Sequence, residues 1–257
     1  MKITVLTENT TELGLPVEHG LSLFIEIGDR RILFDSGQSD LFAKNAEALG
    51  VDLKTVDFAV LSHGHYDHGG GLKKFLEVNG KAKIYMSRYA FEPHFNAEDK
   101  DNGLDAELKG ESRIVFVDGE ITIDSGITVY PCDDSKTIYK IEPYGLKMSK
   151  NGKLVPDDFR HEQYLMLEEN GKRVLISGCS HRGIMNIEHR FKPDILVGGF
   201  HFFKQPLGEK LASYAKILNS ADTDYYTCHC TGVEQYKFMK SYMNRLSYIS
   251  TGQIIEL

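Results

Sequence analysis

Apolar residues recur in this chain at two different periods. Residues 1–8 alternate with β-branched positions and predict a strand, and residues 20–34 predict a hairpin that turns near Gly28-Asp29. Residues 39–49 switch to the helical period: Leu41, Phe42, Ala46 and Leu49 share a face, with Ser39 as N-cap and Gly50 as stop. Phe58-Ala59-Val60-Leu61 reads as a buried strand, residues 72–76 as a helix behind a glycine-rich turn, and residues 83–86 as another strand. Between Arg88 and Ser112 no clean period survives. That stretch is expected to be a long loop that covers a pocket with Phe91 and Phe95 in it, and His94 is expected at the surface rather than as a ligand.

Three short strands at residues 113–117, 121–123 and 127–130 open a second β-half. Residues 131–158 are polar and turn-rich, with Tyr139 and Tyr144 as candidate substrate contacts. Asn170-Gly171 then marks a hairpin between the apolar runs 164–167 and 173–176. A helix from Ile184, a strand at 195–197, an amphipathic helix at 209–218, a strand at 224–227, a helix over 233–246 and a closing strand over 247–257 complete the pattern. Alternation of strand and helix makes this an α/β chain. Without a linker or low-complexity stretch, it reads as a single domain over 1–257 with two β-halves, roughly 1–112 and 113–257.

Chemistry concentrates directly after the strand at Phe58, where His63, His65, Asp67 and His68 fall within six residues, followed by Gly69-Gly70-Gly71. At an extended strand end, side chains two apart point the same way, so His63 and His65 can share one ion. Asp67 and His68 lie on the following turn and can converge on a second ion nearby. Asp35 ends another buried strand and needs a partner there. It is expected to orient a ligand histidine, the alternative being turn chemistry with Ser36-Gly37.

His-x-His-x-Asp-His after an apolar strand resembles the signature of the metallo-β-lactamase superfamily. Glu18-His19-Gly20-Leu21-Ser22, Leu33-Phe34-Asp35-Ser36-Gly37, Gly178-Cys179-Ser180-His181, Gly198-Gly199-Phe200-His201 and His229-Cys230-Thr231-Gly232 extend the likeness over almost the whole chain. They are similar to a branch of metal-dependent hydrolases related to 7,8-dihydropterin-6-ylmethyl-4-(β-D-ribofuranosyl)aminobenzene 5'-phosphate synthase. The resemblance implies a four-layer αβ/βα sandwich and two divalent ions, zinc foremost, with manganese or iron as alternatives. His181 and His229 are then the further metal ligands, and His19 lies near the mouth of the site as a substrate contact or as part of a solvated loop. His201 is expected to bind substrate or stabilise developing charge, or else to ligate. The pattern departs from the superfamily in two places. Most members carry a bridging aspartate where this chain has Cys179, which is either a thiolate ligand or a buried structural cysteine. The usual third histidine is not evident; His161, Asp157 and Asp158 stand nearby, and His181 can substitute. Cys228 and Cys230 are expected to point away from the ions.

Composition narrows the function further. A net charge of −7 gives no footprint for a nucleic-acid backbone, and no apolar run approaches the roughly 20 residues that span a bilayer. The four cysteines form no secreted framework and fit a reducing compartment, so a cytoplasmic protein is expected. The partner is expected to be a small molecule, with no nucleic acid and no membrane involved, and the oligomeric state is open. Two ions would lower the pKa of a shared water and polarise an electrophile, with Asp67 binding metal and orienting the nucleophile. The expected activity is hydrolysis of a small phosphate-bearing or ester substrate, for which the resemblance implies a pterin-like ring; the alternatives are a synthase-type transfer and a non-catalytic metal-binding sensor.

Overall fold

The computed structural model describes residues 1–132 and 136–257, so part of the polar 131–158 stretch lies outside the described residues. The first sheet begins with β1 (Lys2–Thr7), β2 (Ser22–Ile27), β3 (Arg30–Phe34), β4 (Phe58–Val60) and β5 (Lys83–Ser87). Its connections carry α1 (Leu41–Ala48), α2 (Tyr66–Gly69) and α3 (Leu72–Val78). β6 (His94–Phe95) leaves this sheet and β7 (Ile114–Val117) rejoins it. β8 (Ile121–Asp124) and β9 (Ile127–Pro131) open the second sheet, while β10 (Lys147–Lys150) and β11 (Lys153–Pro156) pair with β6 in a three-stranded sheet of order β11-β10-β6. The second sheet continues through β12 (Gln163–Glu169), β13 (Lys172–Ile176), α4 (Ile184–Phe191), β14 (Ile195–Val197), α5 (Glu209–Asn219), β15 (Asp224–Thr227), α6 (Val233–Lys240) and β16 (Leu246–Tyr248). β17 (Ile254–Glu256) crosses back to pair with β1 at the edge of the first sheet.

Period-two alternation sorts each strand's side chains between cores. Leu23, Ile25, Ile32 and Phe34 of the first sheet face Leu165, Leu167, Val174, Ile176, Ile195 and Val197 of the second in a shared core. The intervening residues turn outward to the helices. Phe24, Leu33 and Ala59 pack with Phe42, Ala46, Leu72 and Phe75, and Met166, Leu175 and Leu196 pack with Ile184, Ile187, Leu211 and Met239. Helices, two mixed seven-stranded sheets and helices again make the four-layer αβ/βα sandwich. No helix among the described residues is long and apolar enough to cross a membrane.

Three elements differ from the sequence pattern. The helix predicted over 233–246 stops at Lys240, because Leu246 is drawn into a parallel pair with Tyr225 and Met243 packs into the core from the turn between them. The closing strand is two strands serving different sheets, separated by Gly252 at φ +91°. The 88–112 stretch is anchored through β6 to β10, and Phe91 packs edge-on against Phe116.

Candidate metal centre

Parallel pairing lines up the strand ends that carry the chemistry. β3 pairs in parallel with β4, and β13, β14 and β15 run parallel to one another. Their carboxyl ends deliver Asp35, His63, Cys179, His201 and His229 to one rim of the sandwich. Asp67 and His68 follow on α2, whose amides at His68 and Gly69 bond back to His65.

Hydrogen bonds fix which nitrogen of each histidine faces inward. Asp35 accepts from the Ser62 amide and hydroxyl, both at 2.7 Å, and from His68 Nδ1 at 2.6 Å. With its proton given to Asp35, the Ser62 hydroxyl accepts from His63 Nδ1 at 2.8 Å. His229 Nδ1 donates to Asn9 Oδ1 at 2.7 Å. Each neutral ring therefore keeps its Nε2 lone pair for the centre. His63 Nε2 meets His181 Nε2 at 3.3 Å, and His68 Nε2 meets Cys179 Sγ at 3.3 Å. Asp67 Oδ2 lies 3.3 Å from His19 Nε2, 3.7 Å from His68 Nε2 and 3.4 Å from His229 Nε2. Among the described residues, Nε2 of His65, His94, His161 and His229 are buried with no hydrogen-bond partner, as are Nδ1 of His181 and His201. An unpaired buried polar atom costs about 1–3 kcal/mol. Lone pairs aimed at one another and at a carboxylate are what divalent cations would resolve.

Burial, reinforced by neighbouring imidazoles, pushes His63 and His181 well below the usual imidazole range. Burial also lowers His65 and His161, and brings His229 to about 4 and His201 to about 3. Asp67 is held well below the carboxylate range: burial acts to raise it, but His68, His19 and His229 outweigh that. His68 moves the other way, because burial is overcome by Asp35 and Asp67. Where the pH lies below that raised value, metal uptake at His68 releases a proton and frees the Nε2 lone pair.

These shifts set the pH dependence of the metal-free protein. Six imidazoles with lowered values bind protons only on unfolding, so their contribution to stability is expected to be level above about pH 6.5 and to fall as the pH drops toward 4 and 3. The slope is up to about 1.4 kcal/mol per pH unit for each histidine. His68 has the opposite sign and acts in another window: its contribution is whole below the unfolded value and is lost as the pH rises through the folded one. Urea unfolding of chelator-treated protein across this range checks the trend; stability that does not change with pH contradicts it.

The ligand-type atoms gather in five groups within which they lie no more than 4.8 Å apart. His63 stands with Cys179 and His181, and His68 with Cys179 and His229; His19, Asp67 and His229 form a third. Cys179 thus occupies the middle of the centre, buried, with burial and Cys230 raising its thiol pKa. Cys230 joins Cys179 and His201, whereas Cys228 is buried in the core between the sheets. His19 is half-exposed at the mouth, its ring 4.7 Å from that of His229.

The fifth group holds the main correction. His94, expected at the surface, is fully buried and gathers with His65, Asp157 and His161. β6 pairs Met148 with His94, and this small sheet carries the imidazole inward. Asn9, Glu8 and Glu162 were also missed. Asn9 links His229 to His19, Glu8 accepts from the His229 amide, and Glu162 accepts from the amides of His181 and Arg182. Only tertiary pairing could reveal them. A Cβ at Gly178 would lie 2.2 Å from Ser62 Oγ and 3.2 Å from His63 Nδ1. Gly178→Ala is thus expected to cost about 1–3 kcal/mol of stability and to weaken metal binding, read by thermal unfolding and metal titration.

Beside the centre runs a narrow cleft lined by Lys140, Glu142, Tyr144, His181, Phe200, His201 and Tyr214, among others. Tyr144 sits 5.4 Å from the His201 ring and bonds Gln205 through its hydroxyl. Of the aromatic residues expected to face a substrate, Tyr144 lines this cleft, and Tyr139, Phe91 and Phe95 do not.

Residues 15–138 match the family model of the metallo-β-lactamase superfamily. An uncharacterized protein of Methanocaldococcus jannaschii is 32% identical over 98% of this chain and 99% of its own length. The chain belongs to the metallo-β-lactamase superfamily. Within the superfamily, it is 29% identical to the 7,8-dihydropterin-6-methyl-4-(β-D-ribofuranosyl)-aminobenzene-5'-phosphate synthase of M. jannaschii, over all of this chain and 96% of the synthase. It also superposes on the crystal structure of Tm1679, a metal-dependent hydrolase of the superfamily, with a TM-score of 0.82 and 29% identity, covering 100% and 99% of the two chains. Superfamily members bind divalent metals, and the His, Asp and Cys groups here are able to hold them.

Proposed function

We propose that the protein is a metal-dependent hydrolase acting on a small phosphate-bearing or ester substrate with a flat ring. His63, His181 and Cys179 would hold one divalent ion, zinc foremost, and Asp67, His68 and His229 the other, with Cys179 between them. The observation that carries this reading is the fixed tautomers, which leave the Nε2 lone pairs of His63, His68 and His229 pointing into one buried space beside an ionised carboxylate. Bound ions supply Lewis acidity and lower the pKa of water. Asp67 stays ionised and can accept a hydrogen bond from that water, orienting it. His201, neutral because burial holds it at about 3, can donate an N–H to a leaving group without carrying charge. The aromatic residues of the cleft suit a planar ring. A pterin-like ring is supported by the 29% identity to the named synthase, which equally supports the second reading, a transfer reaction of the synthase type.

The test is an assay of phosphodiesters, phosphomonoesters, thioesters and lactones before and after chelation. Hydrolysis of one class, lost with chelator and restored by zinc or manganese, is the expected result. Metal-loaded protein inert on every class contradicts hydrolysis and favours transfer.

A further inference from the structure

We infer that Glu8 and Glu162 are positioning residues, each holding the turn that presents one metal-facing histidine, and that each sets the affinity of a different ion seat. The inference rests on the two seats proposed above, with His229 in one and His181 in the other. Glu8 follows β1 and Glu162 precedes β12, and both side chains are fully buried. Neither stands in any of the ligand groups, so each acts through its histidine.

The same two-point clamp is built twice. Glu8 Oε2 accepts from the His229 amide at 3.1 Å, and the next residue, Asn9, accepts from the His229 ring at 2.7 Å. Glu162 Oε1 accepts from the His181 amide at 2.6 Å, and the Phe159 ring stacks on the His181 ring at 4.5 Å and 9°. The Glu162 amide in turn donates to the Phe159 carbonyl at 3.0 Å, tying that carboxylate to that ring. Both turns need holding. His229 stands at φ +47°, and Ser180, directly before His181, at φ +58°. Residues other than glycine keep such a conformation only where their surroundings over-determine it.

The groups hydrogen-bonded to the two carboxylates are all donors. Glu8 receives the Thr10 amide and hydroxyl on one oxygen, and the His229 amide and Tyr248 hydroxyl on the other. Glu162 receives the amides of His181 and Arg182 and the Tyr164 hydroxyl. A carboxylate that only accepts fits this surround, whereas glutamine would turn its NH₂ toward at least one donor. Burial pushes both carboxyls up, and these hydrogen bonds act against it.

Zinc titration of chelator-treated protein tests the inference in two backgrounds, His229→Ala and His181→Ala, each expected to keep one of two equivalents. Adding Glu8→Ala is expected to weaken the remaining equivalent about 10- to 100-fold in His181→Ala and to leave it unchanged in His229→Ala. Glu162→Ala is expected to give the mirror image, weakening the remaining equivalent in His229→Ala alone. A merely structural role would lower Tm without this pairing. Circular dichroism establishes that each variant folds, and Glu8→Gln and Glu162→Gln, which keep the packing, take the place of an alanine variant that does not. Carboxylate variants that weaken the remaining equivalent alike in both backgrounds, or in neither, would overturn the inference and leave the two seats standing. Wild type that binds no zinc would overturn the seats themselves and this inference with them.

Discussion

Asp67→Ala is expected to lower turnover by a factor on the order of 10² to 10⁴, the range for losing a group that positions or accepts a proton in the reaction. No other side chain stands where it does. Its Oδ2 faces Nε2 of His19, His68 and His229, and its charge is sustained by those imidazoles against the cost of burial. Removing it deletes a proposed metal ligand and the acceptor for the nucleophilic water together, so the loss is expected in kcat as well as in metal content. The comparison variant is His19→Ala, which removes a half-exposed ring at the mouth and leaves the carboxylate in place. A smaller effect there, weighted toward KM, is expected from steady-state kinetics. Asp67→Ala with undiminished kcat would remove the carboxylate from the mechanism.

Asp35→Ala is expected to be the most destabilising single substitution in the centre. The Asp35 side chain has no exposed surface and accepts three hydrogen bonds, from the Ser62 amide, the Ser62 hydroxyl and His68 Nδ1. Removing one partner of a buried charged pair costs about 3–5 kcal/mol, or about 10 °C or more in Tm for a chain of this size. The loss spreads, because the Ser62 proton now given to Asp35 is what makes Ser62 accept from His63. Two ligand tautomers are released at once, and metal affinity is expected to fall about 10- to 100-fold even where folding survives. Asp35→Asn should be milder in stability, since asparagine tolerates the left-handed conformation at φ +57° and can still accept from the Ser62 amide. It should lose metal affinity all the same, because a neutral amide does not favour the His68 tautomer as a carboxylate does. Differential scanning fluorimetry with metal titration separates the two effects.

What could be read from the sequence was what local pattern determines. Strands β3, β4, β13, β14 and β15 announce themselves as short apolar runs, and their ends carry His63, Asp35, Cys179, His201 and His229 because a ligand set has to be delivered by rigid elements. The expectation that Asp35 orients a histidine rested on the cost of burying a carboxylate, and the bond to His68 follows it. His94 and Asp157 could not be read this way. β6 is two residues long, lies among charged neighbours and is defined only by pairing with Met148 and Lys147 more than fifty positions away. Nothing in the local pattern separates such a segment from a loop. The helix at 233–246 failed for a related reason: Met243 and Leu246 continue an apolar face, yet parallel pairing with β15 and core packing claim them after the helix has ended. His65 was expected to share an ion with His63. Alternation at the strand end puts both rings on one side, 4.6 Å apart, with the His181 ring 4.9 Å from that of His65.

The most direct test of the metal centre is elemental analysis of the purified protein after reconstitution with zinc, manganese or iron, run beside a His68→Ala, His229→Ala double variant. At least about two ions per chain in wild type, with a loss of about one in the variant, is the predicted result. Metal content near zero in folded wild type under every reconstitution would contradict the reading of these converging lone pairs as a metal cage.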